Sequence, residues 1–464
     1  MTESGDSVRA GSDNGDTPPV VILAASKADK VGYPDDEATA AKAKRQRILD
    51  KLTKERNAVL DRWADAETLG LTDDEAALNV YQKAHLKFLF GQTGFNPPVP
   101  ARNPVSVSMH NPRFAAALWA INTEAYRRKG KLSRSQKEVI ALGISLSNNC
   151  PHCAFIHTAM GSAAGSDVQF NDLQRFYQTG DADAAFAQSE EGEGGLNHEL
   201  ASWSVKHRDG DGRGSSMPCT PEQLPEVLGT VMLFAILNRI VDSFVSKTEA
   251  GPMFPSPVRA LMRFKTMTPI VQRMMSSMMS WMMHDEDSKV EAGQVLREIN
   301  KVYPIIYGYE GCTHETPLEL PEELKWAESD ETICTSLAFL DNEAYTMSAK
   351  FIPGVLAAFI VAWVSLWDGT KPAADVERSE WLEPAVKEGN LGADDESGKA
   401  MLRLMLVTVV ASDTTDDNLL SECQEHHGIR GTHAAVLYAA YLAAQRLCQL
   451  AVASFDAPDH CSIK

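Results

Sequence analysis

Apolar residues in this chain recur three and four positions apart, and no stretch alternates apolar with polar as a half-buried strand does; the pattern predicts an all-α protein. From Asp36 to about Glu67 the text is charged and alanine-rich, with Ile48, Leu52 and Leu60 loosely spaced, which predicts a solvent-exposed helix. A second helix starts near Asp73, with Thr72 as its cap, acids in its first turn, a stripe of Val80, Leu86 and Leu89, and Gly91 as its stop. Residues 110–165 read as three helices. The first covers about 112–129. The second opens on the capping box Ser133-Arg134-Ser135-Gln136 and carries Val139, Ile140, Gly143, Ile144 and Leu146. Asn148-Asn149 interrupts it, and Cys150-Pro151 opens the third, with proline at the first helical position. Residues 180–216 are acidic and glycine-rich, predicting long exposed loops around a short helix at about 197–207. Thr220-Pro221-Glu222 starts a helix near 220–228, and the apolar run 227–245 follows as a buried helix.

A faint internal repeat organises the rest. LWAINTEAY (118–126) aligns without gaps on LAFLDNEAY (337–345), so Glu124-Ala125-Tyr126 matches Glu343-Ala344-Tyr345. Each copy is followed by an apolar helix, 134–147 and 354–367. Each also ends in a long apolar helix after an acidic start, closing at Asn238-Arg239 and at Gln445-Arg446. Two copies of one helical unit explain the length better than three unrelated domains, the number that about 150 residues per domain would suggest. The predicted organisation is a disordered acidic tail (1–35), a helical extension (36–95), a first unit (96–250), a Met-rich linker (251–330) and a second unit (331–455). Within 252–286 lie nine methionines, Met253 to Met283, read as an amphipathic linker helix that packs adaptably; soft-metal binding is the lesser alternative, since no fixed Met spacing repeats.

Composition narrows the function. The chain has 464 residues with 44 Lys+Arg against 63 Asp+Glu, a formal charge of −19. That balance argues against nucleic-acid and anionic-membrane partners, both of which need clustered basic residues. The uncharged apolar stretch 351–367 falls short of the roughly 20 apolar residues of a membrane span and is read as a buried helix. Residues 1–19 carry Glu3, Asp6, Asp13 and Asp16 and no apolar core, so neither a secretory nor a transit peptide is expected, and the location expected is cytoplasmic. Eight cysteines are too few for a disulfide scaffold, and only Cys150 and Cys153 form a CxxC.

The chemistry concentrates in Glu138-x11-Cys150-Pro151-His152-Cys153-x3-His157. On a helix beginning at Cys150, Cys150, Cys153 and His157 share one stripe. The helix N-terminus favours a thiolate in its first turn. His157 lies one turn beyond Cys153, within reach of its proton. If the preceding helix packs antiparallel, Glu138 reaches His157 and orients the ring. The result is a nucleophile, a base, an orienting acid and a second thiol. A zinc knuckle would need a fourth ligand that no second CxxC or HxxxH supplies. Inert core cysteines are the other alternative. His152 is a polar neighbour that could tune the thiols.

The segment from His110 to Gly161, with His-x-Pro before the first helix, the Leu-Ser capping box, the glutamate and CxxCxxxH, resembles the alkylhydroperoxidase D (AhpD) and carboxymuconolactone decarboxylase superfamily. LFAILNRIVDSF resembles its closing helix. The resemblance covers about 100–245, is faint over 330–455 and absent over 1–75. It implies an AhpD-like helical domain, duplicated with a degenerate second copy, and helical homo-oligomers. It also implies that Cys153 attacks a hydroperoxide, that Cys150 resolves it as a disulfide, and that Glu138 and His157 relay the proton, with His152 inside the pair as in the redox branch. The helix dipole alone would favour Cys150 as the attacking thiol; the adjacent His157 favours Cys153. No cofactor or metal is expected, only an external dithiol reductant. In the second copy Glu138, Cys150, Cys153 and His157 fall at Ala357, Gly369, Pro372 and Val376, so that copy is expected to be chemically silent. A decarboxylase-type enzyme, which does not need the cysteine pair, and a non-enzymatic redox sensor are the competing functions.

Overall fold

The computed structural model describes Ser108, 111–187, 193–208, 216–245, Ser277, 291–297, 319–373, 375–392 and 395–455. The expected acidic tail, the helical extension over 36–95 and all nine linker methionines lie outside the described residues. Among the described residues every regular element is helical. Pro112 opens α1 (Pro112–Ile121), and the helix widens into a π-helical segment, Asn122–Arg127. α2 (Arg134–Ser147) starts where the capping box predicts: the Ser133 side chain accepts from the Gln136 N–H, and the Gln136 side chain accepts from the Ser133 N–H. α2 ends at Asn148, and Asn149 takes a left-handed conformation (φ +58°). Asparagine tolerates that geometry, which turns the chain sharply enough for α3 (Pro151–Ala163) to fold back on α2. Cys150 is the cap of α3 and lies just outside it.

α4 (Phe170–Thr179) stops at Gly180 (φ +67°), and the one-turn α5 (Ala182–Ala185) leads to α6 (Glu193–Lys206). The short helix expected at about 197–207 is thus present and starts earlier, at Glu193, while 188–192 and 209–215, where exposed loops are expected, lie outside the described residues. α6 lies so close to α2 that a Cβ on Gly143 would come 2.4 Å from the Ser204 Cβ and 2.8 Å from the Ala201 carbonyl oxygen. The separate helix expected at 220–228 is absent: residues 221–223 form a turn, and one helix, α7 (Leu224–Phe244), follows from Leu224. α2 is packed between α3, α6 and α7.

In the second half a 3₁₀ turn (Glu322–Ala327) precedes α8 (Glu331–Phe351), α9 (Gly354–Leu366), α10 (Arg378–Glu388) and α11 (Glu396–Ala411). A 3₁₀ turn (Ser412–Thr414) then leads into α12 (Asp417–Phe455), which kinks at Gly428. α7 and α12 are long and apolar enough to span a membrane by length and composition, but here they are the core: 89% and 78% of their most apolar windows are buried. They pack on each other, as α1 packs on α8. Both contacts join elements that the expected repeat would equate.

Side chains also join the two halves. Arg113 on α1 donates twice to Glu343 on α8, at 2.6 and 2.7 Å. Glu124, the residue matching Glu343 at the same 219-residue offset, accepts instead from the Gly293 N–H at 2.9 Å. Arg239 near the end of α7 donates to Asn148 after α2, and Arg446 near the end of α12 donates to the Trp367 carbonyl after α9. The expected burial of the second apolar helix holds only in part. α9 packs on α11 and α12 through Leu356, Ile360 and Val364, while Val355 and Leu366 are 65% and 84% exposed.

Candidate active site

Glu138 is fully buried on α2 and holds three partners at once. Its Oε2 accepts from His157 Nδ1 at 2.8 Å, and its Oε1 accepts from the Tyr126 hydroxyl at 2.6 Å and from Arg134 Nε at 2.7 Å. The α2–α3 hairpin brings Glu138 opposite His157, and the π-helical segment carries Tyr126 to the same carboxylate. Gly161 keeps the two helices close there: its added Cβ would sit 3.4 Å from the Glu138 Cβ. Burial pushes the Glu138 carboxyl up, but Arg134, His157 and Tyr126 outweigh it and hold the acid below its ordinary range. A carboxylate on Nδ1 fixes the His157 tautomer with its proton on Nδ1 and its lone pair on Nε2. Phe234 meets the imidazole edge-on, with ring centroids 4.3 Å apart. Tyr126 and Arg134 were not singled out from the sequence as site residues. Their signals were present: Tyr126 closes the repeated Glu-Ala-Tyr, and Arg134 stands one turn before Glu138 in the capping box.

The two cysteines are free thiols with sulfurs 2.9 Å apart, Cys150 donating to Cys153. Closing a disulfide needs under about 1 Å of approach, given an S–S bond of roughly 2.05 Å. Cys153 sits in the first turn of α3 and is 7% exposed, against 1% for Cys150. Burial first, then the neighbouring Cys153 and Asp242, push the Cys150 thiol well above its ordinary value. Both facts favour Cys153 as the thiol that meets substrate. His157 lies one turn along the same helix, yet the hydrogen bond to the Cys153 sulfur comes from Cys150 and not from the imidazole. His152 is buried in the same first turn.

The second half, expected to be chemically silent, reaches this site through its loops. The residues matching Cys150 to His157 in the second copy fall in the loop after α9, so that copy lacks the CxxC helix as well as its residues. From that loop, Lys371 donates to the Asn148 carbonyl at 2.8 Å and to Asp413 at 3.2 Å. Asp413 accepts from Asn149 at 2.7 Å. Buried Arg208 and Arg239 donate to the Asn148 side chain, at 2.6 and 3.4 Å. The turn that presents Cys150 is therefore clamped from both halves. On its inner side Asp242 of α7 accepts from Ser412 at 2.7 Å.

Residues 112–169 match the carboxymuconolactone decarboxylase family model, a span that holds the cysteine pair, Glu138 and His157. Over that segment the chain is similar to AhpD- and carboxymuconolactone decarboxylase-like proteins. It is also 25% identical over 349 residues to an alkyl hydroperoxide reductase of Mycobacterium tuberculosis, an alignment covering 75% of this chain and 86% of that relative. No solved structure matches. Two cysteines, a histidine and a glutamate are drawn together here on one hairpin, and Tyr126 and Arg134 complete the surroundings of the glutamate.

Proposed function

We propose that this chain is a thiol-dependent peroxidase acting in the cytoplasm. The Cys153 thiolate attacks the distal oxygen of a hydroperoxide, the O–O bond breaks, and an alcohol leaves as Cys153 becomes a sulfenic acid. The Cys150 thiolate then attacks the Cys153 sulfur, water leaves, and the pair closes as a disulfide that an external dithiol reduces. His157, oriented by Glu138, moves the proton for the first step through Nε2, directly or across one water. The observation that carries this reading is the cysteine pair, 2.9 Å apart, one helical turn from the buried Glu138–His157 pair.

The competing reading is a decarboxylase-type enzyme, the activity for which the matched family is named. The intact CxxC favours the peroxidase, because that other branch has no use for a second thiol at bonding approach. Hydroperoxide consumption in the presence of a dithiol, measured on the native chain and on Cys153→Ser, tests the proposal. Turnover that disappears in the variant supports it. The absence of peroxide turnover in the native chain, or turnover that survives the substitution, rejects it.

A further inference from the structure

We infer that Lys371 and Asp413, both from the second half, are positioning residues for the disulfide step: they hold the Asn148–Asn149 turn so that Cys150 stays at closing distance from Cys153. The inference rests on the peroxidase reading and deepens it, by giving the half that carries no reacting thiol a part in the reaction.

The two thiols are held by different means. Cys153 lies inside α3, and the hydrogen bonds of the helix fix its place. Cys150 is the cap, with φ −101° and ψ 87°, so its place depends on the turn before it. That turn has two backbone bonds of its own, from the Asn149 N–H to the Leu146 carbonyl at 2.9 Å and from the Cys150 N–H to the Ser145 carbonyl at 2.8 Å. It also contains the left-handed Asn149, a conformation that costs energy for any residue with a Cβ.

The second half ties down both asparagines. Lys371 Nζ donates to the main-chain carbonyl of Asn148 at 2.8 Å, and the Asn149 side-chain amide donates to Asp413 Oδ2 at 2.7 Å. Lys371 Nζ also meets Asp413 Oδ1 at 3.2 Å. These contacts close a ring from Asn148 through Lys371 and Asp413 back to Asn149, so the turn cannot swing without breaking one of them. Lys371 and Asp413 are 23% and 17% exposed, which shields the ion pair from most of the solvent. Arg208 braces the same loop from inside, donating to the Gly369 carbonyl at 3.1 Å and to the Asn148 side chain at 2.6 Å. Gly369 and Lys371 belong to the stretch that aligns with Cys150–His157 at the 219-residue offset. The loop standing where a second cysteine pair would be expected thus grips the turn of the first.

The place of Cys150 matters in one step. Once peroxide has oxidised Cys153 to a sulfenic acid, the Cys150 thiol loses its proton, its sulfur bonds to the Cys153 sulfur, and the S–O bond breaks. The oxygen leaves as water, carrying its own hydrogen and that proton. The two electrons given up by the thiol pair are those that reduced the hydroperoxide to alcohol. The sulfurs must close from 2.9 Å to about 2.05 Å. Misplacing a reacting group by about 1 Å costs roughly 10²-fold in rate. A freed turn allows Cys150 that displacement and leaves Cys153 where the helix holds it.

The test uses the full reduced chain with Lys371→Met, which keeps the stem and removes the ammonium, and with Asp413→Ala. In the first arm, one equivalent of hydrogen peroxide is added, dimedone traps the Cys153 sulfenic acid, and mass spectrometry counts adduct against Cys150–Cys153 disulfide. Both variants should form the sulfenic acid at the native rate and close the disulfide roughly 10–10²-fold more slowly, so that adduct accumulates. In the second arm, without peroxide, the thiol pair is equilibrated with dithiothreitol redox buffers. The variants' disulfide should be about 10-fold easier to reduce, a rise of about 30 mV in potential. A contact that only stabilises the fold would lower the urea midpoint and leave that potential unmoved. Lys371→Arg keeps a cationic donor and should recover most of the native potential. Because both residues act through one ring, the double variant should move the potential no further than the larger single change.

Circular dichroism checks that each variant is folded. Native closure rate and native potential in a folded Lys371→Met overturn the inference. If that variant does not fold, the same two readouts on Asp413→Ala, at a partly exposed position, decide it. Cys150→Ser separates the two levels of argument: if it traps no Cys153 sulfenic acid, the peroxidase reading has failed, and the peroxide-free potentials still decide the role of the clamp. If it traps adduct while both clamp variants close and equilibrate as the native chain does, only the inference falls.

Discussion

Replacing Glu138 by glutamine tests the site where its geometry is tightest. The carboxylate accepts from three donors: His157 on one oxygen, Tyr126 and Arg134 on the other. An amide has one acceptor oxygen and one NH2 group. If the oxygen keeps Tyr126 and Arg134, the NH2 points at His157 Nδ1 and can only donate to it. The imidazole must then place its proton on Nε2 and its lone pair on Nδ1, which leaves no base facing Cys153. Loss of general-base help slows thiol oxidation by roughly 10²–10⁴-fold, or about 3–5 kcal/mol of barrier. Arg134 is 17% exposed and regains water, so the cost to folding is about 2 kcal/mol, the scale of one lost charged hydrogen bond.

The pH dependence has a fixed sign. Glu138 is held below its ordinary value of 4.5, so its ionised form stabilises the fold at neutral pH, and that contribution disappears as pH falls through the depressed value. Glu138→Gln lacks this acid limb, and the stabilities of the two proteins should converge at low pH. Stopped-flow oxidation of the pre-reduced thiols by hydrogen peroxide gives the rate, and urea unfolding at several pH values gives the stability. An oxidation rate within about threefold of native, with the fold retained, would refute the relay.

Further outcomes follow from other contacts. After peroxide treatment and alkylation, mass spectrometry should find Cys150 linked to Cys153; two freely alkylated thiols would sink the redox reading. Arg239→Met should destabilise the chain by about 3 kcal/mol in urea unfolding, because it strips donors from the buried carbonyls of Ala235, Thr408 and Val409; a loss near zero would mean that α7 and α11 do not depend on this link. Cys423→Ser should leave peroxide turnover unchanged, since burial pushes that thiol up to about 11 and it lies beyond the CxxC hairpin; loss of turnover in a folded variant would show that the second half supplies a reacting thiol.

The amino-acid sequence by itself determined what local physics controls. Helical spacing of apolar residues set the all-α class. The Ser133–Gln136 capping box and Pro151 set the starts of α2 and α3, and asparagine at 149 made the turn between them possible. The i, i+4 spacing of Cys153 and His157 placed both on one stripe of α3. Those rules act within a turn or two of helix and so are legible in a string of letters. In the acidic, glycine-rich text the same rules placed the start of α6 at about 197, later than the Glu193 at which it begins.

Only the tertiary structure decided the rest. Tyr126 joins Glu138 because a π-helical segment rotates it there, and widening a helix by one residue leaves no periodic mark. α9 reads as a core helix by composition, yet its exposure depends on how few helices pack against it. Asp242 and Ser412 meet from positions 170 residues apart. Nothing local pairs an aspartate late in one helix with a serine after another, since their proximity comes from the packing of the two halves against each other.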